Sequence, residues 1–238
     1  MTLNLPTIPL AFICAASGAW GAVYYATYAV RSQLLGRTRW RGRAETNAVA
    51  LTFDDGPSDQ TPEVLDVLAR HDVRAAFFMI GREVERRPDL AREVAARGHE
   101  IGNHSYSHPI YLYCRAHRTR WELERAQRAI FAATGILPKV ARPPCGVRTP
   151  AYFRAARELG LETIQWTVTG FDWKKRDAAE IARAVLHRLE PGAIILLHDG
   201  DSSGKSDRRA TVAALPIIIE GARSRGLSFV SLDELLAG

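Results

Sequence analysis

Val49-Ala50-Leu51-Thr52-Phe53-Asp54-Asp55-Gly56 is an apolar run that ends abruptly on two adjacent carboxylates. A short apolar run closed by turn formers reads as a buried strand. The two aspartates therefore stand at its C-terminal end. A second run, His99-Glu100-Ile101-Gly102-Asn103, leads directly into His104-Ser105-Tyr106-Ser107-His108, which carries two histidines four residues apart. One carboxylate with two imidazoles is the smallest common set that holds a divalent metal and leaves positions open for water. A second aspartate beside the first is what such a site needs as a general base. Each pair alone also reads as ordinary turn chemistry, since Asp, Gly and Pro are turn formers. Together they make metal-activated hydrolysis the leading expectation.

The pattern around these runs alternates short apolar stretches with amphipathic ones. Strands are expected over 49–53, 75–80, 100–103, 139–142, 163–168, 193–197 and 228–231. Helices are expected over 61–70, 83–97, 120–134, 150–159, 178–189 and 212–225, several closed by a glycine at 98, 135, 160 or 226. Strands followed in turn by helices imply parallel pairing in one α/β domain, open or closed into a barrel. The residues with chemistry to offer fall at strand ends: Asp54 and Asp55, His104 and His108, Arg142, Asp172 with Trp173, then His198. In parallel sheets and barrels that rim is where active sites are built. The polar stretch 200–209 is expected to be a surface loop.

The chain has 238 residues and a formal charge of +6, almost all of it from arginine, because lysine occurs only at positions 139, 174, 175 and 205. A solvated arginine-rich surface explains this; attraction to an anionic polymer or lipid surface is the sharper alternative. The barrel region has no nucleic-acid motif or long basic block, so nucleic acid is not an expected partner. Cys14, Cys114 and Cys145 form no CxxC pair. No charged side chain occurs from Met1 to Val30, and positions 10–30 are apolar or small. That is long enough to span a bilayer, with Tyr24, Tyr25 and Tyr28 suited to an interface. A cleaved signal peptide is the competing reading, and an uncleaved single-pass membrane anchor is favoured. Residues 1–45 are thus read as an anchor or signal segment plus a basic linker, and 46–238 as the catalytic domain. The basic residues near the span, Arg31, Arg37, Arg39, Arg41 and Arg43, all follow it. By the positive-inside rule they would place the domain in the cytoplasm; the extracytoplasmic side is the competing expectation.

Thr52-Phe53-Asp54-Asp55-Gly56, the His104–His108 segment, Arg142-Pro143-Pro144-Cys145-Gly146, the 166–173 segment WTVTGFDW and the 196–199 segment LLHD occur in one order. In that order the chain resembles the NodB-homology polysaccharide deacetylases, carbohydrate esterase family 4, over about residues 46–236. The resemblance implies a distorted (β/α) barrel, here preceded by an N-terminal hydrophobic helix. It implies removal of N- or O-acetyl groups from amino sugars in chitin, peptidoglycan and related glycans. It implies that Asp55, His104 and His108 bind a divalent metal, with Zn²⁺ the family's choice and Co²⁺, Mn²⁺ or Ni²⁺ compatible with the donors. Asp54 is similar to the family's catalytic base and His198 to its general acid. Arg142 resembles the arginine that orients the base, and Asp172 the acid that pairs with the histidine. Cys145 stands where many members have tyrosine, at the position whose backbone N–H faces the oxyanion. Trp166 and Trp173 suit either core packing or a sugar-stacking platform. Three alternatives remain open: deformylation or deacetylation of a lipid-linked sugar, a catalytically lapsed carbohydrate-binding domain, and a Cys145 thiol nucleophile paired with His198.

Overall fold

The computed structural model describes residues 20–205 and 207–237. Ala48–Asp54 forms strand β1, and every one of its residues is buried. A strand covered on both faces belongs at the centre of a parallel sheet. Successive side chains alternate faces, and the two faces of β1 serve two different cores. Val49, Leu51 and Phe53 join the larger cluster. Ala48 and Ala50 join a smaller one with Ala76, Phe78, Ile164 and Ile194. Thr52 and Asp54 continue the inner row, so the Asp54 carboxylate emerges at the mouth of the barrel rather than under the helices.

The other strands are β2 (Ala75–Met79), β3 (Glu100–Asn103), β4 (Val140–Ala141), β5 (Glu162–Thr163), β6 (Val168–Thr169), β7 (Ile194–His198) and β8 (Ser228–Phe229). All pairings between them are parallel, in the order β5-β4-β3-β2-β1-β7-β6, with β8 added at the start of β1. β5 and β6 lie at opposite ends of this path, yet four residues separate them in sequence. The sheet therefore curls round on itself, giving the distorted barrel. The run expected as one strand over 163–168 breaks here because its backbone changes partner. The Ile164 N–H donates to Ala141 O, the Gln165 N–H to Arg39 O, and the Thr167 N–H to Ile194 O.

The helices are α1 (residues 20–28), α2 (Thr61–Arg70), α3 (Gly81–Arg86), α4 (Pro88–Ala96), α5 (Ala116–Thr134), α6 (Pro150–Glu158), α7 (Ala178–Leu186), α8 (Arg209–Arg223) and α9 (Leu232–Ala237). The helix expected over 83–97 is two helices, because Pro88 has no N–H to continue one and instead opens the second. α9 carries Leu232 and Leu235 into the inner cluster, closing the barrel from below.

Among the described residues no helix is long and apolar enough to cross a membrane. Most of the expected anchor, residues 1–19, lies outside the described residues. The described end of it, α1, is docked on the barrel by Arg148. This guanidinium is fully buried. Its Nη2 donates to Ala29 O at 2.6 Å and Ala26 O at 3.5 Å, and its Nη1 to Val30 O at 3.3 Å. Its backbone N–H donates to Thr27 O. The last carbonyls of a helix lack internal partners and carry its negative dipole end. They take the place of a carboxylate counter-ion, since Arg148 has no ion pair among the described residues. Downstream, residues 37–43, in the segment the sequence set apart as a linker, lie along the barrel seam. The Arg39 N–H donates to Thr163 O and the Gly42 N–H to Gly192 O, and Thr167 Oγ1 donates to Trp40 O at 2.7 Å. Arg148→Ala takes the side-chain donors from Ala26 O, Ala29 O and Val30 O, leaving Ala29 O only the Ser32 N–H, and is expected to cost about 2–4 kcal/mol. A urea-unfolding midpoint unchanged from the parent would refute the docking role.

Candidate active site

The rim above β1 is built by a backbone bend. Asp55 has φ +74°, a left-handed conformation that non-glycine residues seldom adopt. Ser105, His108, Cys145 and Phe171, each just beyond a strand of the same rim, also have positive φ. Such strain concentrates at functional sites, where surrounding structure holds it in place. Gly56 lets the bend close: a Cβ there would lie 2.1 Å from Asp199 Oδ2.

Asp54 and Asp55 face different partners. Asp54 Oδ1 accepts from Arg142 Nη1 at 2.7 Å. Arg142 is fully buried, and also donates to Thr52 Oγ1 at 2.8 Å and Gln165 O at 3.1 Å. Its face lies 4.1 Å from the centre of the Phe78 ring. Burial in low dielectric makes this guanidinium dependent on Asp54, and the pairing fixes the carboxylate's direction.

Asp55 turns to the histidines. Its Oδ1 lies 3.4 Å from His104 Nε2 and 3.3 Å from His108 Nε2. That oxygen is buried and accepts no hydrogen bond. Ligands about 2.1 Å from a tetrahedral metal stand about 3.4 Å from each other. The three donor atoms all lie within 4.8 Å of one another, so they fit one divalent cation. An orphaned buried carboxylate oxygen is the group such an ion would satisfy. His104 Nδ1 lies 2.7 Å from Arg142 O. A carbonyl only accepts, so Nδ1 carries the proton and Nε2 keeps its lone pair for a metal. Burial works against ionised Asp55, but His104, His108 and His198 hold its pKa down at about 2. Burial, helped by His104, lowers His108 to about 4.

Across the cavity stands a second carboxylate–imidazole pair. Asp172 Oδ1 lies 2.9 Å from His198 Nδ1, and Asp172 Oδ2 accepts the His198 backbone N–H at 2.8 Å. Thr211 Oγ1 adds a further bond to Asp172 Oδ2 at 3.0 Å. Both ends of the carboxylate are thus occupied, and His198 presents Nε2 to the cavity. Burial opposes the imidazolium, yet Asp172, reinforced by Asp55 and Asp54, raises its pKa to about 9.

A cavity of about 460 Å³ holds Asp54, Asp55, His104, His108 and His198 together. Arg142 and Asp172 stand behind Asp54 and His198 respectively. Cys145 and Trp166 line the same space, as does Trp173, which is 46% exposed and stands edge-on to His198 with centroids 5.4 Å apart. Trp173 is thus free to meet a ligand. Trp166 is half-buried and packs against the inner cluster while lining the cavity. The Cys145 thiol opens on the cavity, and desolvation with the carboxylates of Asp55 and Asp54 pushes its pKa up. A nucleophilic thiol needs the opposite environment.

Two residues of the site, Arg208 and Gln165, carry no sequence signal of their place, and Asp199 is legible only as the close of the LLHD segment. Arg208, in the stretch expected to be a surface loop, is buried and lines the cavity. It donates to Gly200 O at 2.7 Å and Asp172 O at 2.9 Å. Asp199 is buried beneath Gly56, accepts from Thr61 Oγ1 at 2.6 Å, and is raised by burial to about 7. Gln165 donates to Gly146 O at 3.0 Å and so braces the Cys145 turn. His99, just before β3, is buried and accepts the Ala75 N–H at 3.3 Å.

With this geometry in view, the relatives are informative. A polysaccharide deacetylase profile matches residues 41–164, just over half of the chain. The chain belongs to the polysaccharide deacetylase family. It is 39% identical over 195 residues to a peptidoglycan-N-acetylglucosamine deacetylase of Listeria monocytogenes, an alignment covering 81% of this chain and 40% of that protein. The chain thus spans about two fifths of that relative's length. It is 39% identical over 199 residues to a chitooligosaccharide deacetylase of Bradyrhizobium sp., covering 80% of this chain and 91% of the relative. Among solved structures, a peptidoglycan N-acetylglucosamine deacetylase superposes with a TM-score of 0.79 at 33% identity, covering 84% of this chain and 92% of its own. A family pseudoenzyme from Bacillus anthracis superposes with a TM-score of 0.76 at 30% identity, covering 84% of this chain and 68% of its own. Membership of the polysaccharide deacetylase family therefore does not by itself carry activity.

Proposed function

We propose that the chain is a metal-dependent hydrolase that removes N-acetyl or O-acetyl groups from an amino-sugar glycan. The observation that supports this best is the opposition of two pairs, Asp54–Arg142 and Asp172–His198, across the cavity that holds Asp55, His104 and His108. A divalent cation held by those three donors supplies Lewis acidity toward the acyl carbonyl and acidifies water. Asp54, aimed by Arg142, takes the proton of the attacking water. His198 keeps a proton on its cavity side and delivers it to the departing sugar nitrogen or oxygen. The backbone N–H of Cys145 offers a donor to the developing oxyanion. Trp173 offers a face on which a sugar ring stacks.

Acetate released from acetylated glucosamine oligomers tests this directly. Release should be lost on chelation and restored by zinc, cobalt, manganese or nickel. Metal-loaded protein that releases no acetate, and binds the same oligomers unchanged, would favour a lapsed carbohydrate-binding domain instead. Formate release from a lipid-linked formamido sugar would favour the deformylase alternative.

Cys145→Ala is expected to retain turnover within about tenfold, or about 1.4 kcal/mol, because a backbone donor needs no particular side chain. Loss of all turnover in folded, metal-loaded Cys145→Ala protein would bring the thiol itself into the reaction.

The uncharged stretch from Met1 to Val30 supports membrane attachment of the N-terminus, with the barrel on the side where its glycan lies. Cell fractionation of the full chain and a reporter fused at the C-terminus test attachment and side separately.

A further inference from the structure

The connection from β6 to α7 leaves the catalytic cavity at Trp173 and turns outward at once, with the Lys174 N–H bonded to Phe171 O at 3.0 Å. The next three residues are Lys174, Lys175 and Arg176. They include two of the four lysines in the whole chain. Lys174 Nζ and the Arg176 guanidinium lie 5.5 Å and 5.4 Å from the centre of the Phe171 ring. In the last turn of α7 and just past it, Arg183 and His187, four residues apart, join them around a shallow cavity of about 670 Å³ that Glu180 also lines. Lys174, Lys175 and Arg183 are all exposed.

The strip is net positive: its four cations, Lys174, Lys175, Arg176 and Arg183, outnumber the two acids among them, Asp177 and Glu180. Its nearest acids in sequence, Asp177 and Glu180, are engaged with each other's backbone in the capping box that opens α7. None of Lys174, Lys175, Arg176 and Arg183 forms an ion pair among the described residues. Several other surface arginines are paired: Arg87 with Asp59, Arg97 with Asp66, Arg120 with Glu158, Arg125 with Glu85. Unpaired cations this close together lie within a Debye length and add their fields. A neutral glycan gains nothing from them; a chain bearing carboxylates or phosphates does.

We propose that this strip is a docking surface for the anionic groups of the glycan whose acyl sugar occupies the catalytic cavity, so that the substrate is a charged amino-sugar polymer rather than a neutral one. The proposal rests on the deacetylase reading of the adjoining cavity. A glycan is favoured over an anionic lipid surface because the strip begins at the residue next to Trp173, so a polymer running out of the cavity on that side crosses it.

The test is the variant Lys174→Ala/Lys175→Ala/Arg183→Ala in the full chain, with its unfolding midpoint checked against the parent. Two substrates are compared: soluble peptidoglycan glycan strands, which carry carboxylates, and neutral chitooligosaccharides of matched length. The expected result is a KM about tenfold higher for the charged strands, from three exposed charges each of modest worth, with kcat and the neutral substrate unchanged. The parent's preference for charged strands should also fade as salt rises to about 0.5 M. Equal changes on both substrates, or none on the charged one, would overturn the proposal. Lost binding to vesicles containing phosphatidylglycerol, with glycan kinetics unchanged, would also overturn it and assign the strip to lipid. If the metal-loaded parent turns over neither glycan, the deacetylase reading fails, and co-sedimentation still reads the strip. Retention by insoluble peptidoglycan but not chitin, lost in the variant, supports the strip; equal retention of parent and variant refutes it.

Discussion

Asp54→Asn protein should bind its metal normally and lose about 10²–10⁴-fold in kcat. The two adjacent aspartates are separable because the bend at Asp55 sends them to different partners. Asp55 faces His104 and His108, while Asp54 Oδ1 faces Arg142. Asparagine at position 54 keeps the shape and still offers Arg142 an acceptor, but it cannot take a proton from water. Asp55→Asn removes a charged donor instead, so there the metal content falls along with turnover. Metal analysis after dialysis, alongside acetate release, distinguishes the two variants. The Arg142 side chain is fully buried, and weakening its only carboxylate partner among the described residues costs stability. The unfolding midpoint of Asp54→Asn should therefore drop, and kinetics belong at a temperature well below it. Near-normal turnover by folded, metal-loaded Asp54→Asn would remove Asp54 as the base.

The two halves of this site were not equally legible in the sequence. The β1 run announced itself because the short apolar run from Val49 to Phe53 stops on Asp-Asp-Gly, a strand closed by turn formers. The histidine pair followed for the same reason, with β3 ending directly before His104. What sequence order does not carry is the partner of each backbone group. The 163–168 run is apolar enough for a strand, but nothing in it shows that Ile164 pairs towards Ala141 and Thr167 towards Ile194. That exchange of partners is what curls the sheet and brings Asp172 over to His198. Arg208 was hidden for a related reason. A lone arginine in a polar stretch looks solvated, and only the fold sets its guanidinium on Gly200 O and Asp172 O. Pro88 does carry a legible signal: a proline inside an expected helix marks a break at which a second helix can open.

The Asp172–His198 pair makes the second large prediction, which appears as a pH profile. A general acid works only while protonated, so the parent should keep its activity as pH rises until His198 titrates near pH 9. Asp172 is the main cause of that elevation, while burial works the other way. A metal beside Asp55 would offset the lesser contributions of Asp55 and Asp54 and leave that of Asp172. In Asp172→Asn the alkaline limb should therefore move down towards the ordinary imidazole value of about 6.5. At pH 8 the variant's protonated fraction would be about 0.03, so the loss against the parent is at most roughly thirtyfold, while at pH 6 little would be lost through this cause. The stability linkage has the same sign for His198. Its folded pKa is raised, so its contribution is complete below about pH 6.5 and disappears as pH climbs through about 9. Asp172 is lowered by His198 against the effect of burial, so its contribution is lost in acid instead. The parent's pair is intact between these limits, and Asp172→Asn loses that stabilisation across the whole window. An alkaline limb that stays near pH 9 in folded, metal-loaded Asp172→Asn would show that His198 is not the group titrating there, and that the acid must be sought elsewhere on the rim.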